Sequence, residues 1–340
     1  MRHVLKYVVL VLLPVVLVTP ARSSASSQEA EAAPSSASGR FRWPDQEKNG
    51  LILVNTNQYI ATYLRNHPDW FTEGELILDF SVARGSGDVA AEGEYRAIRE
   101  LLESKGLTVG TYTSGTTVRP AEELKSLPYE TVPIEWMPTT FASIGAWPGQ
   151  PRRKIIDVTD VPTRRALQNG IRRLWERYPA PMRFVDNAGA HSSVGGKQNW
   201  QATCANIYEI RRLGESLGCH LVFNVAVHVG SLSDDEAGQL IRAVGENGIL
   251  VEVPWAPGVR ASQALTAKAE ARYRQLLDSG MTVIILFFEV PSDALLDWVA
   301  TWRRPADHLY VGWPFWKKPW DGKKPWEGTN REFPSAPTPQ

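Results

Sequence analysis

Along most of the chain, short apolar runs that end in a polar residue alternate with longer stretches in which apolar residues recur at helical spacing. The strand candidates are residues 51–55, 76–80, 107–113, 154–157, 183–187, 221–227, 249–253 and 282–290. Between them, Tyr95/Ile98/Leu102, Leu167/Ile171/Leu174, Ile207/Ile210/Leu213/Leu217, Ala237/Leu240/Ile241/Val244 and Leu265/Ala269/Leu276 each draw one apolar stripe down a helix. Continuously apolar strands have no solvated face, so with amphipathic helices between them they predict a parallel sheet covered by helices. Repeats of roughly 30 residues fit strand–helix–strand crossovers. Eight such units predict an α/β chain folded as a single-domain (β/α)8 TIM barrel. An open doubly wound sheet fits less well, because no Gly-rich phosphate turn follows an early strand. Residues 308–313 (HLYVGW) read as a ninth strand; if that run joins the barrel, the first run becomes the extra one.

The two ends of the chain depart from this alternation. Arg2 and Lys6 precede an apolar run from Val8 to Val18 and then small residues, the layout of a signal peptide over residues 1–25. That run is shorter than the roughly 18–20 residues of a spanning helix, and no second one follows, so an exported chain with no integral membrane segment is expected, secreted or held in the cell envelope. Residues 26–40 are mostly Ser, Ala and Glu and read as a flexible linker. The barrel is then expected over residues 41–313. Residues 314–340 form a Lys/Pro/Trp-rich tail containing KKPWDG and KKPWEG. The longest connection, residues 114–153, carries six prolines together with Trp136 and Trp147, and long structured loops on a barrel are expected to serve its active face.

Charge narrows the partners. Lys plus Arg and Asp plus Glu both number 37, so there is no whole-chain field to attract nucleic acid or an anionic membrane. Cys204 and Cys219 bracket one predicted helix, which at about 1.5 Å per residue holds them roughly 20 Å apart. A disulfide needs about 7 Å between Cα atoms, so free thiols are expected. The six histidines show no paired ligand spacing, and Gly85-Ser86-Gly87 lacks the G-x-S-x-G elbow of a serine nucleophile. No metal and no cofactor is expected.

The chemistry falls on carboxylates. The strand candidates end in or near Asn55, Asp79, Tyr112, Asp157, Asp186, Asn224, Glu252 and Glu289, and barrel active sites are built at the C-terminal ends of strands. Asn55, Asp79 and Glu289 read equally well as hydrogen-bonded structural groups. Asp186 in FVDNAG and Glu252 in LVEVPW form the sharper pair: glycosidic cleavage requires one carboxyl to protonate the leaving oxygen and another as nucleophile or base. Asp157 in IIDVTD is the natural third member. Crowded acids drive one pKa up and leave another group ionised, and Glu252, flanked by Val251, Val253 and Trp255, has the more apolar setting. Of the 13 tryptophans, Trp136, Trp147, Trp255, Trp313 and Trp316 fall on loops or strand ends and suit stacking on sugar rings, whereas Trp175, Trp298 and Trp302 sit on helices and read as core. A metal-assisted lyase or aldolase using Asp79, Asp157 and Asp186 is a third reading.

From residue 107 on, TVGTYTSG, IIDVTD, FVDN, FNV, LVEVPW and FFEV follow one another in an order that resembles the TIM-barrel glycoside hydrolases of family 114, the endo-α-1,4-polygalactosaminidase-like proteins, and related glycoside-hydrolase-like barrels. The resemblance spans about residues 107–290 and implies that Asp186 and Glu252 are the catalytic carboxylates. Val185, Val251 and Val290 stand where that family has Pro, Asn and Tyr, which leaves the sugar open. The expectation is a monomeric secreted glycoside hydrolase acting on a polysaccharide or oligosaccharide. Asp157, Tyr112, Asn224, Asn187, Asp79, Trp255 and Glu289 are expected to contact the substrate. The alternative is a catalytically inactive barrel that binds envelope glycans.

Overall fold

The structure, a computed structural model, describes residues 41, 43, 51–54, 76–78, 97, 99–124, 131–189, 199–225, 229–253, 263–287, 304 and 307–314. The chain divides into two units, residues 1–37 and 38–340, and every described residue belongs to the second. The expected signal peptide and the whole of the linker, together with the KKPW repeats of the tail, lie outside the described residues. None of the described helices is long and apolar enough to cross a membrane.

Thirteen strands are described, in two sheets. The larger holds β1 (Leu51–Val54), β2 (Leu76–Ile77), β3 (Thr108–Val109) and β4 (Thr111–Ser114) from the first half of the chain. After four strands that belong elsewhere, it continues with β9 (Met182–Asp186), β10 (His220–Asn224), β11 (Gly248–Val253), β12 (Thr282–Phe287) and β13 (Leu309–Pro314). Its order is β3-β2-β1-β13-β12-β11-β10-β9-β4, and every pairing is parallel. β3 and β4 stand at opposite ends of that order although only Gly110 separates them in the chain. A Cβ at Gly110 would lie 2.3 Å from the backbone oxygen of Leu78, so only glycine lets the two backbones approach.

The smaller sheet, in order β6-β5-β8-β7, comprises β5 (Thr117–Arg119), β6 (Val132–Pro133), β7 (Ser143–Trp147) and β8 (Gln150–Ile156). It accounts for most of the expected long connection and corrects one strand. Lys154, Ile155 and Ile156 belong to β8, which runs antiparallel to both β5 and β7, so the 154–157 run is no member of the main sheet. The reason is the turn before it: Pro148-Gly149, with Gly149 at φ 71°, folds β8 back on β7, and a strand entered through a tight hairpin runs antiparallel to its predecessor. The ninth run, 308–313, takes its place as β13 between β1 and β12, and β1 stays in the sheet.

Helices cross between successive strands. α1 (Val161–Arg177) starts where the Asp160 side chain accepts a bond from the Thr163 amide at 2.9 Å, with Pro162 in a first turn that needs no donor. α2 is Trp200–Ser216. α3 (Asp234–Val244) opens on a reciprocal capping box of Ser233 and Glu236, and its three first-turn acids suit the positive end of the helix dipole. α4 is Gln263–Asp278. α1 and α2 are clamped by Arg164, which donates to both Glu209 oxygens at 3.0 and 3.2 Å. Burial alone pushes the Glu209 carboxyl up, but the Arg164 and Gln168 bonds hold it below its ordinary range.

Period-two alternation sorts the described side chains of the larger sheet between two cores. Val185, Leu221, Phe223, Ile249, Val251, Val283 and Ile285 pack with the helix stripes, including Leu167, Ile171, Leu174, Ile207, Ile210, Leu240 and Leu276. Leu76, Leu78, Tyr112, Met182, Phe184, Val222, Leu250, Ile284, Leu286 and Tyr310 form a second core on the face turned away from the helices. At the N-terminal strand ends this core is closed by aromatics. Trp43 stacks on Tyr310 with centroids 5.5 Å apart, Phe41 stacks on His220 at 4.9 Å, and Trp43 meets His220 edge-on at 5.1 Å.

Candidate active site

The same alternation that buries Met182 and Phe184 on β9, Val222 on β10 and Leu250 on β11 brings the next residue of each strand, Asp186, Asn224 and Glu252, to the C-terminal end of the same face. These three side chains meet. The Asn224 Nδ2 donates to Asp186 Oδ1 at 2.9 Å and to Glu252 Oε1 at 2.8 Å. An amide set between two carboxylates must turn its nitrogen toward them, since its oxygen would be repelled by both. Because one nitrogen serves both, the two bonded oxygens lie no further apart than the two bonds laid end to end, about 5.7 Å.

Asp186 is the more heavily held of the pair. Its Oδ2 accepts from the Tyr112 hydroxyl at 2.8 Å and from Asn187 Nδ2 at 2.6 Å. Asn187 stands at φ 51°, in the left-handed region that asparagine tolerates better than most residues, and that turn brings its amide back onto its neighbour. The segment is braced from every side. The Gly115 amide donates to the Asp186 carbonyl at 2.7 Å, and the Thr116 hydroxyl to the Asn187 carbonyl at 2.7 Å. The Ala188 amide reaches the Asn224 carbonyl at 2.9 Å, and the fully buried Asn206 of α2 donates to the Gly115 carbonyl at 3.2 Å. A side chain at Gly115 would press within 2.9 Å of the Ala188 Cα, so the close crossing depends on glycine there.

Burial drives both carboxyls above their ordinary pKa range. For Asp186, desolvation is the largest influence, opposed by the Tyr112, Asn187 and Asn224 bonds and by the Arg153 charge. For Glu252, desolvation is joined by repulsion from Asp186 and opposed by the Asn224 bond alone. Donors favour the ionised form, so of two carboxyls that resist being charged together, Asp186 is the one equipped to hold the charge and Glu252 the one equipped to keep a proton.

The structure therefore gathers Asp186, Glu252, Tyr112, Asn224 and Asn187 at one place. No described hydrogen bond ties Asp157 to them. Asp157 follows β8 of the smaller sheet, and its Oδ1 accepts from the Thr159 amide at 2.9 Å and hydroxyl at 2.6 Å, closing a local turn ahead of α1. Trp136 is half-buried against the helix-side core, with Arg173 6.0 Å from its ring. Trp175 is buried, as its helix predicted. Asp79, Trp255 and Glu289 lie outside the described residues, as do Asn55 and Trp316. Cys204 and Cys219 are free, and burial pushes the Cys204 thiol up to about 12. Among the described residues no group of three or more His, Cys, Asp or Glu side chains is placed to hold a metal. Two side chains behind the site carried no sequence signal of their own, Asn206 on α2 and Arg153 on β8.

No family model matches the chain, and no curated protein matches it. Among solved structures it is similar to Ega3 of Aspergillus fumigatus in complex with galactosamine, at 9% identity and TM-score 0.45 over 81% of this chain and 94% of that one. It is similar to a β-N-acetylhexosaminidase of Bacteroides fragilis at 12% identity and TM-score 0.39, over 79% of this chain and 60% of that one. A 3-keto-L-gulonate-6-phosphate decarboxylase of Vibrio cholerae is similar at 10% identity and TM-score 0.39, over 78% of this chain and 88% of that one. Glycoside hydrolases recur among these likenesses, but proteins of unlike chemistry share them, so the reaction has to be argued from the site.

Proposed function

We propose that this chain is a secreted glycoside hydrolase that cleaves a polysaccharide with Asp186 and Glu252. The fold behind this reading is a closed (β/α)8 barrel in which β3 and β4 are one strand interrupted at Gly110, so that the two ends of the sheet order are the same piece of chain. The observation that carries the function is the single Asn224 amide bonded to both carboxylates at the C-terminal strand ends.

Glycosidases of the retaining class set their two carboxyls about 5–5.5 Å apart, whereas inverting ones leave about 6.5–9.5 Å for a water. The bridged oxygens here, at most about 5.7 Å apart, support the retaining arrangement. Glu252 then protonates the glycosidic oxygen while Asp186 attacks the anomeric carbon, giving a covalent glycosyl–Asp186 ester and releasing the leaving sugar. Glu252, now ionised, takes a proton from water, and the water oxygen displaces Asp186. The donor at Oε1 of Glu252 leaves the proton on Oε2, free to face the substrate. Tyr112 and Asn187 hold Asp186 throughout. The same separation favours hydrolysis over a silent glycan-binding barrel, which has no need to keep two acids in contact. The substrate is approached as a neutral or weakly charged sugar chain, by a monomer, with no cofactor.

The test is a panel of polysaccharides incubated with wild type, Asp186→Asn and Glu252→Gln, with the anomeric configuration of the first-formed product read by NMR. Cleavage by wild type with retention and its loss in both variants is expected. Equal cleavage by either variant, or an inverted product, overturns the assignment.

A further inference from the structure

Arg153 is 4% exposed on β8, yet no carboxylate pairs with it among the described residues. Its Nε donates to the Thr117 hydroxyl at 3.1 Å, its guanidinium lies 4.0 Å over the Trp147 ring, and its Nη2 is buried with no hydrogen-bond partner. A buried guanidinium without a counter-charge is costly, since it has given up water and received little in return.

The neighbours of Arg153 lead to Asp186. The Thr117 hydroxyl is 2.6 Å from that of Ser114, and Ser114 is the register partner of Asp186 across the β4–β9 pair. Ser114 is two residues from Tyr112 on β4 and shares its face of the sheet, the face that carries Asp186. The turn that joins the two sheets, Gly115 and Thr116, bonds directly to the backbone of Asp186 and Asn187. The smaller sheet thus reaches the reacting pair through four consecutive residues and delivers one positive charge.

We propose that Arg153 is a positioning residue for Asp186, anchored by Thr117 and capped by Trp147 so that its unneutralised charge keeps Asp186 the ionised member of the pair. The other groups that face Asp186 among the described residues are Tyr112 from β4, the neutral amides Asn187 and Asn224, and Glu252 from β11; Glu252 is the only other charged one, and its charge acts in the opposite direction. Without Arg153, burial and Glu252 together act against the anion, with only neutral donors on its side. The electrostatic influence of Arg153 on Asp186 has this sign. The small sheet, on this view, is a support that sets which carboxyl attacks and which donates. That assignment of roles rests on the hydrolase reading; the charge coupling does not.

The coupling is measured in the resting protein, without substrate. Protein labelled with [13Cγ]Asp is titrated by NMR, the Asp186 signal being identified by its absence in Asp186→Asn. Arg153→Met is expected to raise the Asp186 midpoint by about one pH unit, and Arg153→Lys, which keeps the charge, to leave it near wild type. Thr117→Val, which keeps the guanidinium but removes its anchor, is expected to raise it by less and serves if Arg153→Met does not fold. An Asp186 midpoint unchanged in folded Arg153→Met or in Thr117→Val overturns the proposal, and so does an equal rise in Arg153→Lys. Because no hydrolysis is read, a chain that cleaves no polysaccharide but shows the shift sinks the hydrolase reading alone.

Discussion

The two ends of β10 hold polar side chains, one half-buried and one buried, that are handled in opposite ways. At the N-terminal end His220 lies among Phe41, Trp43 and its own strand, its Nε2 buried without a hydrogen-bond partner, and burial depresses its pKa from 6.5 to about 4. At the C-terminal end Asn224 bridges two carboxylates whose charges burial resists but donors sustain. One end removes polar function by enclosing a neutral ring in aromatics. The other concentrates it by supplying donors to groups that would otherwise be neutral. His220 and Asn224 lie on one face of the same strand, so the difference between plug and site lies in the neighbours that other strands bring as well as in depth.

Acid acts on the two ends with opposite sign. His220 binds its proton less readily folded than unfolded, so stability is lost as pH falls from about 6.5 to about 4 and the loss is complete below that. Asp186 and Glu252 have raised folded values, so the burden of burying their charge is present at high pH and lifts as pH falls through those values.

The comparison breaks most easily at the top. Asp186→Asn and Glu252→Gln are expected to lower kcat by about 10³-fold or more, the scale of removing a positioned acid or nucleophile. Thermal melts of the same variants are expected to show Tm at or above wild type, since Asp186→Asn removes a charge that burial disfavours and Glu252→Gln keeps the neutral form that burial favours; a clearly lower Tm means that the pair is structural. Trp43→Ala is expected to cost about 3 kcal/mol in urea unfolding, the low end for a tryptophan because this one is partly buried, with KM unchanged in the folded protein. A loss below about 1 kcal/mol shows that the aromatic closure does not hold the strand ends together. Asn224→Ala, which leaves the carboxylates facing each other without the shared donor, is expected to lower kcat by about 10²-fold. No change there means that the bridge is incidental. The smallest effect is expected of His220→Phe, which preserves the stacking and removes the titration. It should match wild type above pH 7 and exceed it by on the order of 2 kcal/mol at pH 4, as read by denaturant midpoints.

Much of this was legible in the chain. The period-two placement that puts Asp186 beyond Phe184 and Glu252 beyond Leu250 needs only the strand boundaries, and those follow from uninterrupted apolar runs. The Asn224 bridge was foreseeable as a polar strand end but not as a donor shared by two acids, because partner strands set that geometry. The Lys154 run misled for a related reason: an apolar Ile155-Ile156 pair announces a strand without saying to which sheet it belongs. Pro148-Gly149 held the missing information, since a tight turn immediately before a strand excludes a parallel crossover. Arg153 had no signal at all. In the stretch Pro151-Arg152-Arg153-Lys154 four neighbouring residues look equally solvent-seeking, and only the hairpin register separates the exposed Arg152 from the buried Arg153.

Strand β13 lies against β1 with Leu51 opposite Val311 and Val54 opposite Pro314. That pairing joins positions about 260 residues apart, the most distant contact between any two neighbouring strands of the sheet. Closing so long a loop costs entropy before the pairing returns anything, and folds dominated by such contacts form slowly. While the chain is being synthesised, β1 has β2 on one flank and an open row of backbone donors and acceptors on the other until residue 314 has been made. Of the described strands the last to be made is the one that covers the first, so completion of the sheet is a late event that a chain ending before residue 309 cannot rehearse.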